Sequence, residues 1–472
     1  MTNKWMLCLF LGIYTGMWAQ KNSPEIQSLN QKKAAYAAIS DQIWDWAEMG
    51  YQEVNSSALL AETLKNNGFK VTMGVAGIPT AFIAEYGTSG PTLGILGEYD
   101  ALPGLSQQAI PALAPAGGVG GHGCGHHLFG TASVAAAIEV KNFLTRTGTP
   151  GKIRFYGCPA EEGGSGKVYM VREGLFDDVD VVLHWHPAST HGASAAASLA
   201  NKSAKFRFKG ISAHAAAAPD QGRSALDAVE AMNMMVNMMR EHMPDGSRIH
   251  YVITDGGKAP NVVPNFAEVY YYARDKDRKV VMNLFDRIVK AAEGAALGTE
   301  TKMEYEIIGG THELLPNLTL QRMVHEKLVQ VGGYSYSQAD QQFAQSISTT
   351  LDKPLPISAA QKIAPFQEVG IPGGSTDVGD VSFAVPTVGM RIATWVPGTP
   401  SHSWQAVATG KTNIAHNGMM VAAKTITLSA IELLQKPKLI EQARSEFIQR
   451  RGSNFVYTPL IGDRSPALDY RN

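Results

Sequence analysis

Cysteine is nearly absent, with 3 in 472 residues. That excludes a disulfide scaffold, which needs paired cysteines at dense spacing. Excess charge is absent as well. Lys and Arg number 41 against 42 Asp and Glu, a net charge of -1, so nothing points to nucleic acid or to an acidic solvating tail. Beyond residue 18 no apolar run is long enough to cross a membrane, and no internal repeat is visible. What remains is a chain with 44% hydrophobic and 18% charged residues. It is an ordinary globular composition, long enough for two domains or for one large domain with an insertion.

The first residues stand apart. Lys4 precedes the apolar run Trp5 to Trp18, and Ala19-Gln20-Lys21 follows. A positive start, a short apolar core and a small residue near the end form the pattern of a signal peptide over residues 1–20. It predicts a secreted or periplasmic protein; a buried amino-terminal helix is the competing reading. Removal of the peptide leaves Cys124 and Cys158. Two free thiols in an oxidising compartment need a reason to persist, and metal ligation of one would supply it.

Glycine, by contrast, is concentrated. The stretch Gly117 to Gly130 holds 7 glycines in 14 residues, together with His122, Cys124, His126 and His127. A thiolate and an imidazole two residues apart make half of a transition-metal site. A flexible glycine loop with incidental histidines is the alternative at this point.

Periodicity places the motifs. Helices are predicted over 34–49, 57–67 and 130–146, and strands over 81–86, 92–97, 152–157 and 179–183. Helices alternating with buried strands indicate an α/β sheet, in which ligands bind at the carboxyl ends of strands. Those ends deliver Glu98-Tyr99-Asp100, Glu161-Glu162 and His184-Trp185-His186. The pattern then changes. Strands over 202–209, 248–254, 267–274 and 302–308 enclose helices over 223–243 and 278–297. The order β-α-β-β-α-β is a ferredoxin-like unit, and its methionines, Met232 to Met243, read as core or interface filler. The expected layout is a first catalytic part over 21–201, an inserted domain over 202–310 and a second catalytic part over 311–472. The last part resumes with a helix over 319–331, a strand over 387–392 and a helix near 413–435. The tail from Arg451 shows no periodic pattern and reads as loosely packed.

The candidate ligands are Cys124, His126, Glu162, His186 and His402, mostly in loops that follow strands. The adjacent pair Glu161 and Glu162 suits a division of labour, in which one carboxylate binds metal and the other moves protons.

The motifs Gly-Glu-Tyr-Asp-Ala-Leu-Pro-Gly (97–104), Gly-His-Gly-Cys-Gly-His (121–126), Pro-Ala-Glu-Glu-Gly-Gly (159–164), His-Pro (186–187), Ser-Ala-His-Ala (212–215) and Gly-Thr-Pro-Ser-His-Ser-Trp (398–404) occur in this order. The chain thereby resembles the aminoacylase/carboxypeptidase-type dinuclear metallopeptidases, in particular their aminobenzoyl-glutamate amidohydrolase branch, from about residue 34 to 435. The resemblance implies a zinc-peptidase-like three-layer α/β domain with an inserted βαββαβ lid through which homodimers form. It implies that Cys124, His126, Glu162, His186 and His402 hold two divalent ions, zinc or manganese. Glu161 would be general base and acid, Asp100 would orient a ligand, and His214 would stabilise the oxyanion, often in the partner's site. Arg274 or Asn261 would hold a substrate carboxylate. The implied reaction is hydrolysis of the amide of a small N-acyl amino acid by metal-activated water. A dipeptidase on the same scaffold and a catalytically silent metal- or ligand-binding protein are the alternatives; the intact Glu161 speaks against the silent one. His127 departs from the Asp or Asn usual in relatives. His184 competes with His186 as a ligand, and the His-Pro context favours His186. The signal-like start departs from cytosolic relatives.

Overall fold

The structure is a computed structural model that describes residues 23–471 apart from 196, 371 and 372. The proposed signal peptide lies outside the described residues.

The helices α1 (Pro24–Gln31), α2 (Lys33–Trp46) and α3 (Val54–Asn66) come first. Strands β1 (Lys70–Met73), β2 (Phe82–Tyr86) and β3 (Thr92–Glu98) follow, then α4 (His126–Thr147), β4 (Lys152–Cys158), α5 (Gly166–Arg172) and β5 (Val181–Leu183). After the insertion come α8 (Leu318–Val331), α9 (Gln338–Ser348), α10 (Val378–Ala384), β10 (Thr387–Val388), α11 (Trp404–Gly410), α12 (Asn413–Gln435) and α13 (Pro437–Arg451). The strands form one six-stranded sheet in the order β1-β2-β4-β3-β5-β10. The four strands from β4 to β10 run parallel, while β1 and β2 are antiparallel additions. Every residue of β3 is buried, as a parallel strand covered on both faces must be. α4 lies directly on it. A Cβ on Gly130 would come within 2.7 Å of Glu98 O, so this close crossing of helix and strand requires glycine.

The insertion is a second body with its own core. It consists of β6 (Ala200–Lys209), α6 (Ala225–Met239), β7 (Arg248–Asp255), β8 (Phe266–Asp275), α7 (Arg278–Gly298) and β9 (Lys302–Thr311). Its antiparallel sheet has the order β7-β8-β6-β9. On β8, Ala267, Val269, Tyr271 and Ala273 are buried and alternate with half-exposed residues. The buried set packs with Phe206, Met232, Val236, Leu284 and Phe285 under the two helices. This is the period-2 pattern of a sheet covered on one face. Of the methionines, Met232 and Met239 are core, whereas Met234 and Met238 are exposed.

Three sequence expectations need correction. α4 begins at His126 rather than Gly130, because Gly125 takes the left-handed turn that starts it. The strand expected over 387–392 is two short ones: Thr387–Val388 pairs with β5, and Arg391–Ala393 pairs with His186–Ala188. The tail beyond Arg451 is not loose, since Leu460 and Ile461 are buried and Tyr470 and Arg471 reach the turn that carries Glu162.

Candidate metal centre

Three strand ends and one helix start supply the candidate ligands. β3 leads into Asp100, β4 turns through Glu161 and Glu162, and β5 ends three residues before His186. Gly125, at φ +78°, precedes α4 in left-handed backbone that glycine adopts without penalty. A Cβ there would meet the Pro187 ring at 2.8 Å. Cys124 and His126 are thereby delivered to the same edge. His402 arrives on the returning chain, where its N–H donates to Gly123 O at 2.9 Å. Its own φ of +57° is positive, as are those of Ala160 (+56°) and Ser165 (+61°) around the glutamate pair. Left-handed non-glycine residues cost of order 1–3 kcal/mol each and gather where geometry is imposed.

The five candidates close into two overlapping triples. Ligand atoms of Cys124, His126 and His186 lie within 4.8 Å of one another, and so do those of Cys124, Glu162 and His402. Cys124 belongs to both. Its Sγ is 3.4 Å from His186 Nε2, and Glu162 Oε1 is 3.2 Å from His402 Nε2. Two imidazoles are oriented from behind. His126 Nδ1 donates to Asp100 Oδ1 at 2.8 Å, and His186 Nδ1 donates to Pro187 O at 2.7 Å. Each Nε2, when it carries no proton, then offers the lone pair that metal ligation needs. The other oxygen of Asp100 accepts the N–H of Glu162 at 2.8 Å. One carboxylate thus orients a ligand in each triple.

The electrostatics fit cations. His126 Nε2 and Glu98 Oε2 are buried 3.2 Å apart, and neither is hydrogen-bonded. Such atoms are costly to leave unpaired. Either a metal cation or a proton on His126 would satisfy both; against the effect of burial, Cys124, Asp100 and Glu98 push His126 well above its usual range. Burial, with Glu162, pushes the Cys124 thiol well up, so it ionises only against a cation. Burial, with His126 next, pushes His186 well down and keeps it neutral. Thiolate, imidazole and carboxylate together suit two divalent transition ions. Glu161 stands outside both triples but within 4.8 Å of Glu98 and His126. Burial, then Glu98 and Glu162, push its carboxyl well above the usual range, so it is a group that can hold a proton.

Sequence reasoning missed the layer beneath. Lys167 Nζ lies 2.6 Å from Glu98 Oε1 and 2.7 Å from Asp377 Oδ1, with all three side chains essentially inaccessible. Glu53 accepts Ala160 N–H at 2.8 Å and Thr80 Oγ1–H at 3.0 Å, propping the glutamate turn. Burial and Asp100 push the Glu53 carboxyl up to about 8. Glu98 stood within the 97–104 motif and its two-residue spacing from Asp100 was visible. Lys167 and Asp377, 210 residues apart, carry no local signal.

The remaining candidates lie elsewhere. His214 is exposed in the loop beyond β6, and its Nδ1 accepts the N–H groups of Ala216 and Ala217 at 3.2 Å. It bridges Val262, beside exposed Asn261. Neither belongs to a metal-capable triple. Arg274 sits at the opposite end of β8, opposite Asn201, with its guanidinium over the Tyr272 ring at 5.2 Å. The strand between them is about 30 Å long, so Asn261 and Arg274 of one chain do not meet the same ligand. His127 Nε2 donates to Gly410 O at 3.0 Å, a structural role. Burial pushes His184 down to about 3, and its ring covers Gly389, where a Cβ would come within 2.2 Å. It belongs to none of the metal-capable groups among the described residues. Cys124 and Cys158 are both free and buried. Among the described residues no helix is long and apolar enough to cross a membrane.

Comparison with known proteins places the fold. Residues 200–300 match the peptidase dimerisation domain of the M20 type. The chain is 41% identical over 468 residues to a p-aminobenzoyl-glutamate hydrolase component of Escherichia coli, covering 93% of this chain and 97% of that protein. It is 28% identical to the Xaa-Arg dipeptidase of Mus musculus, covering 89% and 90%. Among solved structures, a Bacillus subtilis dinuclear metal binding peptidase of the M20 family aligns with TM-score 0.58 at 16% identity, covering 86% of this chain and 99% of that one. An aminobenzoyl-glutamate utilization protein from Klebsiella pneumoniae aligns equally at 0.58, with 20% identity over 84% and 98%.

Proposed function

The chain belongs to the M20 peptidase family of metal-dependent amidohydrolases, and from that premise we propose that it hydrolyses the amide bond of N-acyl amino acids of the aminobenzoyl-glutamate type. The observation that carries this reading is Cys124, a single thiol within reach of both ligand triples, with Glu161 beside it and outside them. Bound ions would polarise the scissile carbonyl and acidify water. Cys124, His126 and His186 would hold one, and Cys124, Glu162 and His402 the other. Thiolate and imidazole favour zinc, with manganese as the alternative. Glu161 takes the proton of the attacking water and returns it to the leaving amine. Asp100 keeps His126 and the Glu162 backbone in register. Residues 1–20 support a secreted or periplasmic location.

The working unit is a homodimer formed through the lid. What supports it is the exposed apolar row Tyr251, Val252 and Ile253 on the edge strand β7, with Met234 and Met238 on α6; unpaired edges invite pairing. Ser203 lies by the ligand turn, within reach of a Cβ on Gly309 that would also meet Ser165 and Gly163. From there β6 runs about 20 Å before the His214 loop begins. His214 therefore serves the partner's site, where its free nitrogen stabilises the oxyanion. Asn261 accompanies it, and Arg274 remains the candidate for a substrate carboxylate near its own site.

A substrate panel with metal depletion tests the reading. Aminobenzoyl-glutamate and related N-acyl amino acids should be cleaved, chelation should abolish turnover, and zinc or manganese should restore it. Full activity in metal-free protein would refute the mechanism. A preference for dipeptides ending in arginine would favour a dipeptidase, a second reading supported by the 28% identity to the Xaa-Arg enzyme.

A further inference from the structure

The segment Tyr457–Arg471 has no regular structure, yet it crosses from the catalytic body to the lid and back to the metal-ligand turn. Tyr457 Oη donates to Asp380 at 2.8 Å. Leu460 packs where a Cβ on Gly310 of β9 would come within 2.9 Å of it. Arg464 donates to the carbonyls of Ile307 and Ile308, the latter at 2.9 Å, still on the lid strand. The chain then returns. The Tyr470 ring packs edge-on against Tyr51 at 5.5 Å, and its hydroxyl donates to Glu162 O at 3.2 Å. Arg471 donates to the same carbonyl oxygen.

The Glu162 backbone is therefore held on both sides: its N–H by Asp100 and its C=O by Tyr470 and Arg471. The turn that carries it needs such holding, since Ala160 and Ser165 flank it in left-handed backbone. We infer that Tyr470 and Arg471 are positioning residues for the Glu162 half of the metal centre, and that Tyr457–Arg471 is a strap coupling that turn to the lid. The inference rests on the two-ion reading above. Groups that orient ligands from outside the ligand set typically govern 10–100-fold in metal affinity.

The test is Co(II) titration of metal-depleted full-length protein, reading stoichiometry by dialysis and thiolate–Co(II) absorption. Wild type should bind two ions. Tyr470→Phe with Arg471→Ala should keep one tight site and weaken the second 10–100-fold, with kcat reduced, KM little changed and melting temperature near normal. Restoring the cation as Arg471→Lys in the Tyr470→Phe background should recover most of the second site. Two unchanged sites in the double variant would overturn the strap, as would equal loss at both sites with a lowered melting temperature. A wild type that binds no Co(II) would overturn the metal reading itself, which separates the two failures.

Discussion

Lys167→Met isolates the buried charge layer beneath the metal centre. Methionine keeps most of the hydrocarbon and removes the ammonium. The cation faces Glu98 at 2.6 Å and Asp377 at 2.7 Å, with none of the three side chains more than 1% exposed. Hydrogen bonds to charged groups contribute about 1.5–3 kcal/mol each, so two of them put the loss at roughly 3–6 kcal/mol. Breaking a buried pair by removing one partner costs about 3–5 kcal/mol, in agreement. The sign with pH follows from linkage. Burial already raises the Glu98 carboxyl, and Lys167 is the largest group lowering it. Because the wild-type carboxyl is itself raised, both proteins lose stability as pH rises above about 4.5. Without Lys167 the carboxyl rises further, so the variant goes on losing stability above the pH at which wild-type Glu98 ionises, by up to about 1.4 kcal/mol per unit and per proton, and its deficit grows with pH. Urea denaturation of metal-depleted protein at pH 5 and pH 8 measures this without ligand linkage. A deficit near 4 kcal/mol at pH 8, clearly smaller at pH 5, is expected. A deficit below about 1 kcal/mol at pH 8, or one that does not shrink at pH 5, would refute the reasoning.

Glu161→Gln should leave metal content near normal and lower kcat by roughly 10²–10⁴-fold, since the amide keeps the shape but carries no proton. Glu162→Gln should instead lower metal occupancy at one of the two sites; metal analysis beside kinetics separates them, and reversed phenotypes would mean swapped roles. His214→Ala should be inactive with its metals bound. Mixing it with Glu161→Gln under subunit exchange should recover activity, because one mixed site has both an intact Glu161 and a donated His214. Confirmed exchange without recovery would place His214 in its own chain's site or outside catalysis.

Much of this architecture was legible because it is written in short-range pattern. The alternation of β8 and the apolar runs of β3 and β4 give their strands directly. The order of the inserted elements gives the ferredoxin-like topology. What was not legible depends on partners distant in sequence. The start of α4 hinges on Gly125 against Pro187. The break between Val388 and Arg391 arises because Gly389 must accommodate the His184 ring while the two halves pair with different strands. The tail was misjudged because its contacts run from side chains to remote carbonyls and leave no period. Cys124, His126, Glu162, His186 and His402 are candidates by residue type and loop position, and the fold brings them together. Lys167, Glu53 and Asp377 escaped because a buried ion pair looks, in one dimension, like any surface charge.

The charge balance explains why these hidden residues matter. Glu53, Glu98, Asp100, Glu161, Glu162 and Asp377 converge on one sheet edge, and Lys167 is the buried ammonium among them. The carboxylates raise one another: Asp100 acts on Glu53, and Glu98 and Glu162 act on Glu161. Such a cluster cannot stay fully ionised in a low-dielectric setting. It must take up protons or cations, and its geometry has room for both. Asp100 and Pro187 turn two imidazole lone pairs inward, and Cys124 sits where both triples share it. A proton can fill the lone pair of His126, which, against the effect of burial, Cys124, Asp100 and Glu98 push well above its usual range. Divalent ions would take up the charge and the lone pairs together, and their binding would release the proton of the Cys124 thiol. Glu161, left outside the triples, would then be the carboxylate free to carry a proton between water and amine.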